Sequence, residues 1–155
     1  MEKNEFYTFR EYTKNFKSNL TPCEEDYVEM IYRLSISNNG YTRVNDLAAA
    51  LNVKPPSVTK MIKKLNNKDL IAYEKYGIIQ LLDKGKITGK ILLDRHNTIE
   101  KFMKMLDISE DILEETEKIE HTISVETLVK IKELVDFFTE NREALEMYKR
   151  FKARL

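Results

Sequence analysis

The sequence predicts a mostly α-helical fold, in which an N-terminal winged helix-turn-helix with a short β-hairpin wing is followed by an α-helical dimerisation domain. Gly and Pro are scarce, at four and three residues among 155, and most apolar residues recur at helical spacing. Residues 70–82 combine two short β-prone runs around a turn. These observations predict three parts: a helical extension at residues 1–19, a winged-helix domain at 20–88 and a helical domain at 89–155.

The composition excludes a membrane protein and favours a soluble, cytoplasmic one. With 42% apolar and 34% charged residues, the chain can bury one core or two small ones. No window approaches 18 consecutive apolar residues, and the charged, aromatic N-terminus lacks the apolar centre of a secretory signal. The single cysteine, Cys23, cannot form an internal disulfide, which suits a reducing compartment.

The charges are segregated along the chain although they sum to zero. Residues 54–90, the basic segment, hold nine lysines and three acids. In residues 107–146, the acidic segment, acids far outnumber bases. A chain whose two halves differ in sign can bind a polyanion with one half and cations with the other.

Two helices are predicted at the N-terminal end. The first, within residues 1–17, is amphipathic, with one face formed by Phe6, Phe9, Thr13 and Phe16. We expect this face to pack into a groove. The second helix has a well-marked start, because Thr21 is a suitable N-cap, Pro22 occupies the favoured first position and Glu24 completes a capping box.

Residues 44–65 predict two short helices joined by a tight turn, the helix-turn-helix arrangement. The apolar stripe of the first helix contains Val44, Leu47, Ala48 and Leu51, and that of the second contains Val58, Met61, Ile62 and Leu65. Asn52 suits a left-handed turn between them, and Pro55 and Pro56 mark the start of the second helix.

The second of these helices resembles in composition a helix that enters the major groove of DNA. Small residues at its N-terminal end let the backbone approach the bases, and lysines further along neutralise phosphates. The residues predicted to contact DNA, of which the last two lie in the wing, are Pro55, Pro56, Ser57, Thr59, Lys60, Lys63, Lys64, Lys75 and Tyr76. An ordinary helical pair with a solvated lysine face is the alternative.

The wing is predicted from β runs at residues 70–74 and 78–82, with a turn at residues 75–77. Beyond it, three helices are expected through "KITGKILLDRHNTIEKFMKML", "SEDILEETEKIEHTI" and "SVETLVKIKELVDFFTENREALEMYKRF", the last broken near Thr139. Their apolar stripes include Ile99, Met103, Leu128, Leu134 and Phe138. Short helices bury such stripes better against a second copy of the chain, so we expect a homodimer.

The segment "ETEKIEH" places Glu117, Glu120 and His121 at spacings i, i+3 and i+4, so that all three project from one helix face. A charged, solvated helix face is the alternative for this segment alone.

Three further residues of ligand type lie on other predicted helices. Asp26 and Glu29, three positions apart, share a face of the first domain helix, where acids also favour the first turn without binding anything. His96, the only other histidine, lies on the helix after the wing. If these helices meet, their carboxylates and imidazoles form a metal site.

Several motifs together resemble one known family. In order along the chain they are "EEDYVEMIY", "VNDLAAALNVKPPSVTKMIKKL", "YEKYGIIQLLDKGK", "DRHNTIEKF" and "EKIEHTIS". Their order and spacing resemble the iron- and manganese-dependent repressors of the diphtheria toxin repressor family, most closely its short manganese transport regulator branch. The resemblance covers residues 20–138.

The resemblance implies a dinuclear manganese site on Asp26, Glu29, His96, Glu117, Glu120 and His121. It also implies a homodimer that binds double-stranded DNA at palindromic operators of metal-uptake genes when metal is present. Iron-dependent members carry sulfur residues at the positions of Asp26 and Glu117, whereas an oxygen-dominated set with two imidazoles suits Mn²⁺. Fe²⁺, Zn²⁺, Co²⁺ and Cd²⁺ are expected substitutes.

The sequence departs from the family pattern in three places. The wing lacks the usual Arg-Gly turn and Leu-Thr strand end. The chain stops without the SH3-like domain of longer relatives, which fits the short branch. The resemblance does not explain the aromatic extension at residues 1–19.

Two other functions stay open at this point. One is a winged-helix regulator whose acidic cluster is only structural. The other is a dinuclear metal hydrolase, because clustered carboxylates and histidines also build two-metal catalysts. We expect neither enzymatic activity nor a small organic substrate, since no nucleophile or oxyanion donor stands beside the ligands in the sequence.

Overall fold

The structure is a computed structural model that describes residues 19–154. These residues form two compact units, of which the N-terminal unit ends at Asp94 and the C-terminal unit begins at Arg95. The predicted helix within residues 1–17 lies outside the described residues. The predicted domain division after residue 88 falls a few residues before the division between the two units, and it stays a prediction.

The N-terminal unit contains the predicted winged helix-turn-helix. Its elements are α1 (Pro22–Ser37), β1 (Tyr41–Arg43), α2 (Val44–Ala50), α3 (Pro55–Asn66), β2 (Ile71–Tyr73) and β3 (Ile78–Leu81). α1 begins as predicted, because the Thr21 hydroxyl accepts from the backbone N–H of Glu24 while the Glu24 carboxylate accepts from the N–H of Thr21. Asn52, with φ of 53°, takes the predicted left-handed conformation between α2 and α3.

The sheet has one strand more than the predicted hairpin. Its three strands are antiparallel in the order β1-β3-β2, so that β3 pairs with both neighbours. The hairpin prediction accounts for β2 and β3 only. A strand of three residues is too short to show alternation between apolar and polar positions, which is why the sequence does not reveal β1.

The core of the N-terminal unit joins α1, the helix-turn-helix and the wing. Apolar residues that are completely buried come from each of these parts and include Val28, Ile31, Leu47, Val58, Ile62, Leu65 and Ile79. Burying one such side chain is favourable by about 1.5–3 kcal/mol, so this core fixes α3 on the unit. The exposed face of α3 is therefore held in a defined orientation within its unit.

Two glycines bring the first turns of α4 (Asp83–Met105) close to the rest of the N-terminal unit. A Cβ at Gly85 would lie 1.9 Å from the backbone oxygen of Leu70, and one at Gly89 would lie 2.6 Å from Cβ of Tyr32. Only glycine fits at these separations. These two glycines therefore explain how α4 starts in contact with α1 and with Leu70, the residue before β2.

The C-terminal unit continues α4 and adds α5 (Ile112–Glu120), α6 (Val125–Glu140) and α7 (Arg142–Lys152). The predicted break near Thr139 occurs at Asn141, between α6 and α7. Its small core contains Ile99, Met103 and Leu128. Within residues 19–154 no helix is both long and apolar enough to cross a membrane.

The prediction that the stripe of α6 is buried holds only in part within one chain. Leu128 and Val135 are buried, whereas Leu134 is 44% exposed and neighbouring Phe137 is 50% exposed. On α7, Met147 and Phe151 are also exposed. The part of this stripe at Leu134 is therefore not buried within a single chain, and its burial against a second copy stays a prediction.

Candidate metal centre and DNA-binding surface

α5 and the residue after it carry three of the predicted ligands. Glu117 and Glu120 lie in the last turns of α5, and His121 directly follows the helix with helical backbone angles of φ −84° and ψ −12°. The helical spacing therefore extends to His121, and one ligand atom from each of the three residues lies within 4.8 Å of the others. One turn before Glu117, Glu114 instead pairs with Lys118.

α4 brings His96 to the same cluster. Its Nδ1 lies 2.9 Å from Oε2 of Glu120 and 4.0 Å from Oε1 of Glu117. Nε2 of His121 lies 3.8 Å from Oε1 of Glu120 and 3.9 Å from Oε2 of Glu117. Each carboxylate thus directs one oxygen towards one imidazole and its other oxygen towards the second imidazole.

One end of the cluster is buried and the other is exposed to solvent; its members are His96, Glu117, Glu120 and His121. The side chains of His96 and Glu120 are 4% and 1% exposed. Those of His121 and Glu117 are 18% and 47% exposed. A carboxylate as buried as that of Glu120 is costly unless it is paired, and the ring of His96 provides a partner. The open end gives a path for an ion to enter.

The four residues fit a divalent cation by chemistry and by spacing. Their donors are carboxylate oxygens and imidazole nitrogens, a set suited to Mn²⁺, Fe²⁺, Zn²⁺ and similar ions. With metal–ligand bonds of about 2.0–2.2 Å, two atoms bound to one ion lie at most about 4.4 Å apart. The four separations given above, at 4.0 Å or less, satisfy this limit.

Asp26 and Glu29 lie one turn apart on α1, in the N-terminal unit. Glu29 is 7% exposed, and its carboxylate accepts hydrogen bonds from Nε and Nη2 of Arg33. Asp26 is half-buried. An acid at the start of a helix explains Asp26 without a ligand, but Glu29 lies a turn deeper and is buried as a charged pair.

The residues of α3 predicted to contact DNA are mostly exposed. Pro55, Pro56, Ser57, Lys60, Lys63 and Lys64 lie at the surface, whereas Thr59 is half-buried. The Thr59 hydroxyl donates to the backbone oxygen of Pro55, which leaves its lone pairs to accept from a ligand. Lys63 and Lys64 lie in the last turn, where cations are favoured by the helix dipole.

The wing ends in a short 3₁₀ turn, Lys75–Gly77, between β2 and β3. Tyr76 is 90% exposed and has φ of 69°, a left-handed conformation that is rare for a bulky residue. Neither feature stabilises the fold, because the left-handed backbone is unfavourable for Tyr and the exposed ring buries no apolar area. Such a residue at the tip of a wing is a candidate contact for DNA.

Arg33 is the residue near the predicted ligands that sequence reasoning overlooked. The signal was its position four residues after Glu29, the spacing of helical ion pairs. Lys68 was likewise assigned only to the basic segment, yet its ammonium donates to the Glu24 carboxylate across 2.9 Å. That contact joins the end of α3 to the start of α1.

A winged helix-turn-helix with exposed lysines, followed by a helical unit with a histidine–carboxylate cluster, defines a metal-dependent transcriptional regulator. The chain belongs to the iron dependent repressor family. The family's N-terminal DNA binding domain matches residues 19–79, and its metal binding and dimerisation domain matches residues 82–149. The predicted family, fold class and non-enzymatic regulatory function are thereby confirmed.

Named relatives agree with this assignment. The HTH-type transcriptional regulator MntR of Bacillus pumilus is 45% identical over 124 residues, which cover 79% of this chain and 85% of that protein. The protein of the same name from Geobacillus kaustophilus is 43% identical over 127 residues, covering 81% and 89%.

Solved structures are similar over one part of their length. The manganese regulator SloR is 37% identical with a TM-score of 0.59, and the match covers 72% of this chain and 54% of SloR. The metal-dependent transcriptional regulator MtsR is 28% identical with a TM-score of 0.67, covering 76% and 55%. The chain thus spans about half the length of these two structures.

Proposed function

We propose that this chain is a cytoplasmic, Mn²⁺-activated homodimeric repressor with a dinuclear metal centre. Its ligands are Asp26, Glu29, His96, Glu117, Glu120 and His121. The observation that carries the proposal is the arrangement of Glu117 and Glu120, each of which directs its two oxygens towards different imidazoles. Two carboxylates that each lie between two imidazoles would help to hold two ions.

The preference for manganese rests on donor chemistry and on similar proteins. A ligand set of four carboxylates and two imidazoles, without sulfur, suits a hard divalent ion. SloR is described as a manganese regulator, and ScaR, 32% identical with a TM-score of 0.59, as a manganese-activated repressor. ScaR has also been solved with Zn²⁺ and with Cd²⁺, which supports these two ions as substitutes here. Fe²⁺ and Co²⁺ are proposed as further substitutes on donor chemistry alone.

Metal control follows from where the proposed ligands lie in the chain. A bound cation would supply the positive charge that the four carboxylates of this ligand set require. Asp26 and Glu29 belong to the DNA-binding unit, and the other four ligands belong to the dimerisation unit. A ligand set drawn from both units favours chain conformations that satisfy all six residues, which shifts the population towards the one that binds DNA.

DNA recognition is proposed for α3 and the wing. The small N-terminal residues Pro55, Pro56, Ser57 and Thr59 would face base edges, and Lys60, Lys63 and Lys64 would face phosphates. Lys75 and Tyr76 would contact DNA from the wing. Two copies of the chain place two such helices on one duplex, so we propose a palindromic operator, upstream of metal-uptake genes.

The dimer interface is proposed on α6 and α7. Leu134, Phe137, Met147 and Phe151 leave apolar area exposed in one chain of a family with a dimerisation domain. Exposed apolar side chains of this kind are typical of contacts between subunits. The acidic residues around it would then stay at the solvated rim.

The decisive experiment selects DNA from a pool of random duplexes with the purified protein, once with Mn²⁺ and once with EDTA. We expect a palindromic consensus with Mn²⁺ and loss of its binding in EDTA. The selected duplex then serves in a Mn²⁺ titration followed by fluorescence anisotropy. Equal affinity with and without metal would overturn metal control and leave a winged-helix regulator with a structural acidic cluster.

A further inference from the structure

Arg33 neutralises the buried carboxylate of Glu29. Its Nε donates to Oε1 of Glu29 across 2.9 Å, and its Nη2 donates to the same oxygen. The two residues lie four positions apart on α1, so the helix itself keeps them together. The side chain of Glu29 is 9% exposed, whereas that of Arg33 is 34% exposed.

The pairing of Arg33 with Glu29 compensates the charge of a buried carboxylate. A buried carboxylate without a positive partner is strongly unfavourable, and a guanidinium with two N–H donors is well suited to compensate it. A divalent cation bound to the same carboxylate would compensate it equally well. The guanidinium of Arg33 therefore places a positive charge beside Glu29, one of the proposed metal ligands.

The two positive charges are incompatible. If the cation binds Oε1, the guanidinium must leave that oxygen. If the cation binds Oε2 instead, it lies within a few ångströms of the guanidinium, where partial burial weakens screening and the charges repel. In both cases Arg33 makes metal binding at Glu29 less favourable.

We propose that Arg33 is a built-in counter-ion of Glu29 that the metal displaces, and that it raises the Mn²⁺ concentration at which the centre fills. This inference rests on the proposed role of Glu29 as a ligand. The partial exposure of Arg33 lets the displaced guanidinium move into water at little cost. Arg33 thus acts through Glu29 and sets the metal threshold of the regulator.

The test compares Mn²⁺ binding by the full chain and by Arg33→Met, which removes the charge but keeps an apolar stem. We expect Mn²⁺ to bind Arg33→Met about tenfold more tightly in calorimetry, within the range known for groups that contact metal ligands. Without metal, the melting temperature of this variant should fall, because Glu29 loses its partner. The rise in melting temperature on adding saturating Mn²⁺ should exceed that of the wild type.

A matched control removes an ion pair of the same spacing elsewhere. Lys104→Met breaks the i,i+4 pair with Glu100 on α4, and it should leave Mn²⁺ affinity unchanged. Unchanged or weaker Mn²⁺ binding by Arg33→Met would overturn the inference, since a purely structural or orienting role of Arg33 predicts that result.

A double variant ties the effect to Glu29. In a Glu29→Gln background the carboxylate charge is gone, so adding Arg33→Met should no longer tighten Mn²⁺ binding. Persistence of the tightening would show that Arg33 acts elsewhere and would overturn the inference. If the wild type itself shows no Mn²⁺ binding, it is the proposed function that fails, so the two failures are distinguishable.

Discussion

Nδ1 of His96 lies 2.9 Å from Oε2 of Glu120, although the two residues are 24 positions apart in the chain. Both side chains are almost fully buried, at 4% and 1% exposure. The contact joins α4 to α5 in the interior of the C-terminal unit. A polar pair at this depth is costly to bury, and it is the point from which the candidate metal centre is built.

Glu120→Gln should weaken metal binding strongly while leaving the fold intact. The amide matches the carboxylate in shape but lacks its charge and one acceptor oxygen, so it would hold a divalent ion less tightly. We expect Mn²⁺ affinity to fall by about 100-fold, measured by calorimetry, with an unchanged circular dichroism spectrum.

Glu114→Gln is the control on the same helix. Glu114 is exposed and pairs with Lys118, outside the cluster. The Glu114→Gln protein should therefore bind Mn²⁺ with the affinity of the wild type. Similar losses in both variants would mean that the general negative charge of α5, and not the cluster, holds the ion.

Lys60→Ala and Lys63→Ala should each weaken DNA binding without changing Mn²⁺ affinity. Each lysine that contacts a phosphate releases about one counterion, so the slope of log affinity against log salt should fall by roughly 0.9 per variant. Titrations with the selected duplex at several salt concentrations measure this slope. Lys101→Ala, exposed on α4, is the control, and an equal effect there would argue against α3 as the DNA-binding helix.

Tyr76→Asn should raise the stability of the protein while lowering its affinity for operator DNA. Asn tolerates the left-handed conformation better than Tyr, so the free energy of unfolding should rise by up to about 1 kcal/mol. Loss of the exposed ring should nevertheless lower operator affinity, measured by anisotropy. Tyr76→Phe distinguishes ring from hydroxyl, and unchanged affinity in both variants would show that this wing tip does not touch DNA.

The pairing of Glu24 with Lys68 predicts a pH-dependent stability. The hydrogen bond from Lys68 lowers the pKa of the Glu24 carboxyl below its ordinary value of 4.5, so the folded chain favours the ionised form. This stabilisation is therefore complete above pH 4.5 and is lost as the pH falls through the lower pKa of the folded state.

Urea unfolding of Glu24→Gln tests this sign. The variant should lose about 1 kcal/mol at neutral pH, because the ion pair with Lys68 is removed while the amide oxygen of glutamine can still complete the capping box. The difference from the wild type should shrink in acid, because the wild-type carboxyl is then protonated too. Glu74→Gln, at an exposed site next to the turn of the wing, is the control and should keep the wild-type stability at neutral pH.

Local elements were the most predictable part of the fold. The capping box at Thr21, the turn at Asn52 and the start of α3 at Pro55 depend on residues only a few positions apart. Helical spacing also predicted that Glu117, Glu120 and His121 share one face. The strand Tyr41–Arg43 escaped prediction, since its pairing partner β3 lies far along the chain and three residues carry no periodic signal.

The sequence by itself determined which residue types are present, where helices begin and which side chains share a helix face. Only the tertiary structure decided that His96 meets Glu120, because that contact depends on how Ile112 and Ile119 of α5 pack against the core to which α4 contributes Ile99 and Met103. It also decided that Glu29 is buried, whereas the pairing of Glu29 with Arg33 is a local contact between residues four positions apart on α1. Local patterns follow from backbone geometry, whereas contacts between elements follow from the burial of many side chains at once.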